Sequence, residues 1–117
     1  MKEVLRPLTS VLIRLLILRL LERETMYPYQ ILTKVRQVLK DHVTLSTFYT
    51  ILYELEKRGY VEKYCINSSG RKYYRITDRG KQLLKEIRNS VELKLRLLEQ
   101  LIYDTLHHST GSTQQTL

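Results

Sequence analysis

The chain has 117 residues, enough for one hydrophobic core but marginal for two independent ones. Its formal net charge of +8 and pI near 9.7 predict a polyanionic partner, with nucleic acid ahead of an anionic membrane surface. A single cysteine, Cys65, excludes an internal disulfide and a multi-cysteine zinc site within one chain, which fits a cytoplasmic protein.

The first predicted helix is capped by Thr9 or Ser10 and runs to about Arg23. Its long apolar run contains Arg14 and Arg19, each of which would be costly inside a bilayer. We therefore interpret the run as a buried amphipathic helix and not as a membrane span. Its predicted core positions include Leu12, Leu15, Leu16 and Ile17.

A second helix, predicted for about residues 29–39, follows a break at Pro28, a residue that fits the first turn of a helix. Its predicted core residues are Ile31, Leu32, Val35, Val38 and Leu39. Three basic residues on or beside this helix are candidate contacts to backbone phosphates, although a solvated helix face explains them equally well. They are Lys34, Arg36 and Lys40.

The third predicted helix is capped by Thr44 or Ser46 and ends at Gly59. Its predicted buried stripe is Leu45, Phe48, Leu52 and Leu55. The opposite face carries hydroxyl groups and almost no charge, whereas a solvated helix is normally rich in Lys and Glu. Hydroxyl side chains suit close approach to base edges and phosphates, because they donate and accept hydrogen bonds at short reach. The candidate DNA contacts of this helix are Thr44, Ser46, Thr47, Tyr49, Thr50 and Tyr53.

Simpler roles for some of these residues stay open. Ser46 and Thr47 could act in helix capping, with a few other hydroxyls merely exposed. Tyr49 could be a core aromatic residue instead of one whose hydroxyl contacts a phosphate.

A basic β-hairpin is predicted next, with strands at 61–66 and 71–77 and a turn at 67–70. Gly70 would allow the backbone to approach a groove closely, and Arg71 beside it is the preferred minor-groove or phosphate contact. The alternative is a solvated strand edge guarded by basic residues. The candidate DNA contacts of the hairpin are Ser69, Gly70, Arg71, Lys72 and Arg75.

Thr77 or Asp78 is the predicted cap of a long last helix, in which apolar residues recur at helical spacing for about five turns. One small domain cannot easily cover so long an apolar face, so we expect a partner helix from a second copy; packing within the domain is the alternative. The predicted dimer residues are Leu84, Ile87, Val91, Leu95, Leu98 and Ile102. The chain would then comprise a DNA-binding domain (1–77), a dimerisation helix (78–106) and a disordered tail (107–117).

Catalytic and metal-binding patterns do not stand out in the sequence. There is no phosphate-cradling glycine loop, no HExxH and no nucleophile elbow. His107 and His108 are adjacent in the predicted tail, an arrangement that rarely forms a closed metal site. We therefore expect neither an enzyme nor a bound cofactor.

Four segments, 27–31, 46–61, 70–77 and 78–80, carry a resemblance to a known family. In this order and spacing they resemble the PadR family of winged-helix transcriptional regulators, over about residues 8–103. The resemblance implies a homodimer that pairs through its last helix and represses transcription from an operator with two related half-sites. In this family the hairpin is called the wing.

The predicted fold class is therefore mainly α with a small β-hairpin wing: a winged helix-turn-helix followed by a long C-terminal dimerisation helix. The predicted function is sequence-specific binding of double-stranded DNA by a homodimer, with no membrane partner. Pro28 replaces a usual Gly of the family and Thr50 replaces a common Pro, so the resemblance implies no particular operator.

Some family members bind small aromatic or cationic effectors, often through Trp; this chain has no Trp, so effector binding is not carried over. Two other classes of function stay open. One is a winged helix used as a protein-interaction module, and the other is a membrane-surface protein that uses the basic first helix.

Overall fold

The structure is a computed structural model, and it describes residues 2–40, 43–65 and 70–103. These ranges contain the helices α1 (Lys2–Arg23), α2 (Pro28–Leu39), α3 (Leu45–Lys57) and α4 (Asp78–Tyr103), and the strands β1 (Val61–Cys65) and β2 (Lys72–Ile76). The chain divides into two compact units, Met1–Leu84 and Lys85–Leu117, and α4 contributes to both. The predicted fold class is confirmed: mainly helical, with a small hairpin and a long last helix.

The first helix is longer than predicted, because α1 begins at Lys2 and not after a cap at Thr9 or Ser10. Pro7 lies inside the helix. Pro7 is the sixth residue of α1, so its missing N–H removes one interior backbone hydrogen bond, yet the helix also includes the five residues before it. The proline therefore does not set the start of the helix.

The buried face of α1 is rotated relative to the prediction. Its buried residues are Ile13, Ile17, Leu18 and Leu21. Ile17 is thus confirmed as a core residue, whereas the prediction for Leu12 is wrong, since Leu12 is 38% exposed. Leu15 and Leu16 pack against the edge of the core. Because apolar residues occur all round this helix, its sequence does not single out one face.

The cores of α2 and α3 follow their predicted stripes, apart from the ends. The predicted residues that are buried are Ile31, Leu32, Val35, Phe48, Leu52 and Leu55, while Leu39 packs partly buried beside them. The predictions for Val38 and Leu45 are wrong, since these side chains are 59% and 56% exposed. Both lie in a terminal turn, where the helix extends past the core. Ile51 is a core residue that the predicted stripe omits.

The connection between α2 and α3 is held by Arg36. Its Nε and Nη2 donate hydrogen bonds to the Val43 carbonyl at 2.9 and 2.8 Å. Lys40 ends α2 in the left-handed region, at φ 60° and ψ 2°. Because α2 holds the segment just before α3, the start of α3 is fixed relative to α2.

The hairpin is joined to the helices by its backbone. β1 and β2 pair antiparallel from Val61 opposite Ile76 to Cys65 opposite Lys72. On the other edge of β2, Met26 from the α1–α2 linker exchanges two backbone hydrogen bonds with Tyr74, at 3.2 and 2.7 Å. The linker therefore acts as a short third strand. The predicted turn residues 67–69 lie outside the described residues.

The end of α3 and the start of α4 share one turn. Gly59 has a left-handed φ of 82°, and its N–H and that of Tyr60 donate to carbonyls in the last turn of α3. The Thr77 hydroxyl donates to the Gly59 carbonyl at 2.6 Å and accepts from the Gly80 N–H at 3.0 Å. Thr77 is thus the cap of α4, one of the two predicted candidates.

Tyr74 packs the hairpin against α3. Its side chain is 2% exposed, and its hydroxyl donates to Glu56 Oε1 at 3.1 Å. Burial, together with the nearby Glu56 carboxylate, raises the pKa of the Tyr74 hydroxyl well above its usual value. Lys63 Nζ lies 3.9 Å from the other carboxylate oxygen of Glu56, so β1 contributes to the same contact.

A methyl group at position 80 does not fit the shared turn. A Cβ there would overlap the Tyr60 carbonyl oxygen and lie 2.7 Å from Ile76 Cγ1. We expect Gly80→Ala to lower the free energy of unfolding in urea by about 1–3 kcal/mol, because backbone must move to accommodate it. Lys81→Ala, at an exposed position of the same turn, is the control and should change it by less than about 0.5 kcal/mol. Equal effects would contradict the close packing.

The buried Tyr74 hydroxyl predicts a loss of stability at alkaline pH. Its pKa is raised in the folded state above the ordinary value of 10.0, so its contribution is complete below that pH and is lost as the pH rises above it. From about pH 10 upward, the thermal midpoint of the wild type should fall more steeply than that of Tyr74→Phe. Tyr64→Phe, which removes a partly exposed hydroxyl, should keep the wild-type slope. Parallel wild-type and Tyr74→Phe profiles would refute this assignment.

Candidate nucleic-acid interface

The outer face of α3 presents most of its predicted contact residues to solvent. The exposed ones are Thr44, Ser46, Thr47, Thr50 and Tyr53, whereas Tyr49 is half-buried. These side chains carry hydroxyl groups and no charge. The surface can therefore donate and accept hydrogen bonds without the strong hydration that a charged face would have.

Two of these hydroxyls also form the start of α3. The Thr44 hydroxyl oxygen accepts from the Thr47 backbone N–H at 3.1 Å, and the Thr44 hydroxyl donates to Thr47 Oγ1 at 3.0 Å. Thr44 is therefore the N-cap, and its geometry matches the capping role that the sequence left open between it and Ser46. Thr47 keeps its own hydroxyl proton, which it can donate outward.

The two tyrosines of α3 are packed together. The ring of Tyr49 meets that of the buried Phe48 edge-on, with centroids 5.2 Å apart, and lies 5.6 Å from that of Tyr53. Tyr49 thus connects the core to the surface, and the structure supports the core alternative for its ring. Tyr53 is 53% exposed and held at one side by Tyr49. Its hydroxyl end is the better placed of the two for a contact outside the protein.

The basic residues of α2 differ in what they can offer a phosphate. Lys34 and Lys40 are exposed. Arg36 is also exposed, but its guanidinium already donates twice to the Val43 carbonyl. This geometry favours a role for Arg36 in positioning α3 over the predicted phosphate contact.

The predicted DNA contacts of the hairpin differ in their surroundings. Gly70, Arg71 and Lys72 are exposed, and Gly70 has a left-handed φ of 81° with open space where a Cβ would lie. Arg75 Nε instead lies 2.7 Å from Glu62 Oε2, and its guanidinium carbon lies 4.3 Å from the centre of the Tyr64 ring. The contacts of Arg75 match the solvated-edge alternative. Ser69 lies outside the described residues.

A contact that the sequence did not suggest joins the start of α2 to the hairpin. The guanidinium carbon of Arg71 lies 4.8 Å from the centre of the Tyr27 ring. The Tyr27 ring also meets the Tyr73 ring edge-on, with centroids 5.6 Å apart. No local pattern could have revealed this, because the residues are far apart in the sequence.

Glu54 links α3 to α1. One carboxylate oxygen accepts from Arg14 Nε and Nη2 at 3.2 and 2.5 Å, and the other lies 3.5 Å from Arg58 Nε. These side chains are about a third or more exposed, so solvent weakens the pair and its contribution to stability is small. The two Arg14 hydrogen bonds converge on one oxygen of Glu54 and nevertheless connect α3 to α1.

The predicted dimer residues of α4 divide by their burial. Leu84 is buried at 3% exposure in the core of the first unit, whereas Ile87 and Val91 belong to the second unit and are half-buried. In the second unit, Leu95, Leu98 and Ile102 are 53%, 43% and 61% exposed. Other large apolar residues of this segment are also exposed, namely Leu93, Leu97, Leu101 and Tyr103. Among the residues that the structure describes, none covers this apolar surface.

The first unit has an exposed apolar patch of its own on α1. Leu8, Val11 and Leu12 are 51%, 49% and 38% exposed.

None of the described helices combines the length and apolar character needed to cross a bilayer. Among the described side chains, no three of His, Cys, Asp or Glu are grouped to hold a metal ion. His107 and His108 lie outside the described residues.

Comparison with known proteins finds one matching family and several similar solved structures. Residues 17–86 match the PadR-like family of transcriptional regulators. A PadR family transcription regulator from Clostridium difficile R20291 is 29% identical, with a TM-score of 0.68, over 77% of this chain and 97% of that one. The protein smu.1704 from Streptococcus mutans UA159 is 30% identical, with a TM-score of 0.68, over 80% and 89% of the respective chains.

A PadR-like transcriptional regulator from Bacillus cereus is 27% identical, with a TM-score of 0.66, over 86% of this chain and 96% of that one. None of the curated proteins is a significant match. The family match spans more than half of the chain and includes α2, α3 and the hairpin, together with the end of α1 and the start of α4. The chain therefore belongs to the PadR-like family of transcriptional regulators, whose members regulate transcription through DNA and are not enzymes.

Proposed function

We propose that this protein is a sequence-specific repressor that binds double-stranded DNA as a homodimer on an inverted-repeat operator. The observation that carries the proposal is the uncharged, hydroxyl-rich outer face of α3, in a chain of this family. Bonds from α1, α2 and the hairpin brace that helix. A surface held this firmly can meet a partner with little loss of conformational entropy.

In this proposal α3 enters a major groove, where each base pair presents a distinct pattern of donors and acceptors. Thr47 and Thr50 lie on the outer face of the first turns of α3 and are the residues assigned to sequence preference. Tyr53 lies further along the same helix and can contact the backbone beside the groove. Arg71, next to Gly70, contacts the flanking minor groove or a phosphate.

Binding strength comes mainly from charge. The chain carries a formal net charge of +8, whereas the exposed side chains of α3 named above are neutral. Phosphate contacts release counterions, so affinity falls steeply as salt rises. Sequence preference and binding strength are thus assigned to different residues of the same domain.

The exposed apolar residues of α4 support the homodimer. An isolated helix surface with Leu95, Leu98 and Ile102 uncovered is unfavourable in water, and a second copy supplies a matching surface. Two-fold symmetry then presents two α3 helices to the DNA. Their spacing of about one helical turn, ~34 Å, sets the separation of the two half-sites. Occupying a promoter in this way would block transcription, which is the basis for proposing repression.

The DNA contacts can be separated by substitution. We expect Arg71→Ala to weaken binding to every sequence by about tenfold and to reduce the salt slope by about one unit. Thr47→Ala and Thr50→Ala should instead change which fragments are preferred. The measurement is a gel-shift series on genomic fragments selected by the wild-type protein.

Arg75→Ala is the matched control for Arg71→Ala, because it removes the same charge from the same hairpin. We expect it to weaken binding much less, since Arg75 is paired with Glu62. A series in which Arg71, Thr47 and Thr50 can all be replaced without effect would sink the proposal. Negligible binding of duplex DNA at low salt would favour a protein-interaction module instead.

The dimer has its own test. We expect Leu98→Glu to shift the protein from dimer to monomer in sedimentation velocity, because a charge would be buried against the partner helix. Asn89→Glu adds the same charge at an exposed position of α4 outside the apolar stripe, and should leave the dimer intact. A wild type that sediments as a monomer at micromolar concentration would contradict the proposed assembly.

A further inference from the structure

We propose that Tyr27 is a positioning residue for DNA binding: its ring holds the guanidinium of Arg71 ready for the phosphate or minor groove. The inference rests on the proposed function, because it concerns how the hairpin meets DNA. The observation behind it is the 4.8 Å distance between the Arg71 guanidinium carbon and the centre of the Tyr27 ring. At this distance a cation is attracted to the face of an aromatic ring.

Hydrogen bonds fix the backbone at Tyr27 and at the preceding residue. Its N–H donates to Gln30 Oε1 at 3.0 Å, and the next residue, Pro28, is the first of α2. On the other side, Met26 is paired with Tyr74 through two backbone hydrogen bonds. The position of Tyr27 is therefore set from both directions, which a surface loop would not provide.

The ring itself is also held in place. Tyr27 is half-buried and meets the Tyr73 ring edge-on, with an interplanar angle of 88°. Tyr73 lies within β2, opposite Tyr64 of β1. The ring that receives the arginine is thus fixed by the same strand that Arg71 precedes.

Arg71 is a residue that benefits from such support. It lies between Gly70, which has a φ of 81° and open space where a Cβ would lie, and Lys72, where β2 begins. A long exposed side chain loses rotamer freedom when it binds a phosphate, and an aromatic surface that restricts it beforehand reduces that loss. Stacking uses the flat face of the guanidinium, whereas hydrogen bonds to phosphate use the N–H groups at its rim. The same side chain can therefore do both.

The test is a double-mutant cycle on the full chain, with a fluorescent mixed-sequence duplex of about 30 base pairs as the probe. We expect Tyr27→Leu to weaken binding by about two- to fivefold, the range that a cation–π contact at an exposed site provides. In the Arg71→Ala background the same substitution should have no further effect. Tyr27→Phe keeps the ring and should bind like the wild type.

The salt dependence separates positioning from direct contact. Tyr27→Leu should leave the slope of log affinity against log salt unchanged, because Arg71 still reaches the DNA. Arg71→Ala should reduce that slope by about one unit. Tyr64→Leu is the matched control, since it removes the ring under Arg75, an arginine already bonded to Glu62; it should not change affinity.

Equal losses from Tyr27→Leu in both backgrounds, or an equal loss from Tyr64→Leu, would overturn the inference, because the effect would then come from the fold. Binding by Tyr27→Phe as weak as that by Tyr27→Leu would also overturn it, since the hydroxyl would be the contact. If Tyr27→Leu does not fold, Arg71→Lys replaces it. This variant keeps the charge but not the planar guanidinium, and wild-type affinity would refute the role proposed for its contact with the Tyr27 ring.

The outcomes also distinguish the inference from the proposed function on which it rests. Absence of duplex binding by the wild-type chain at low salt would overturn both. Binding that Arg71→Ala weakens but that shows no coupling to Tyr27 would overturn only the role of Tyr27.

Discussion

The packing of Tyr74 determines where the hairpin lies relative to α3. Its backbone pairs with Met26, its ring is buried, and its hydroxyl donates to Glu56 of α3. A buried phenol is unfavourable without a hydrogen-bond partner, so the hairpin cannot move away from α3 without exposing or orphaning that hydroxyl. The proposed major-groove and minor-groove contacts are therefore held in a fixed relation before any DNA is bound.

The first unit carries two chemically different surfaces, one on α3 and one on the hairpin. The outer face of α3 is neutral and rich in hydroxyl groups, whereas the hairpin carries arginines whose guanidinium groups lie over tyrosine rings. The two arginines look alike in sequence, but Arg75 is bonded to Glu62 across the hairpin and Arg71 lies against Tyr27 of the neighbouring helix start. In the proposed mechanism this difference assigns DNA contact to one arginine and support of the strand pair to the other.

Local rules predicted the elements well where a strong local signal exists. The cap at Thr44, the glycine end of α3 at Gly59 and the antiparallel hairpin each depend on residues close together in the chain. The prediction of buried residues failed where apolar residues did not define a single face of a helix. Apolar residues surround α1, so its periodicity did not single out Ile13 over Leu12 as the buried residue. The DNA-contacting roles of α3 and the hairpin remain predictions.

The sequence by itself determined the order of elements, the basic charge, the hydroxyl face of α3 and the apolar stripe of α4, because each follows from composition or from short-range periodicity. Only the tertiary structure decided which polar side chains are already engaged. Arg36 bonds the Val43 carbonyl and Arg75 bonds Glu62, while Arg71 meets the ring of Tyr27. Such pairings depend on distances set by packing between elements, and no spacing along the chain encodes them.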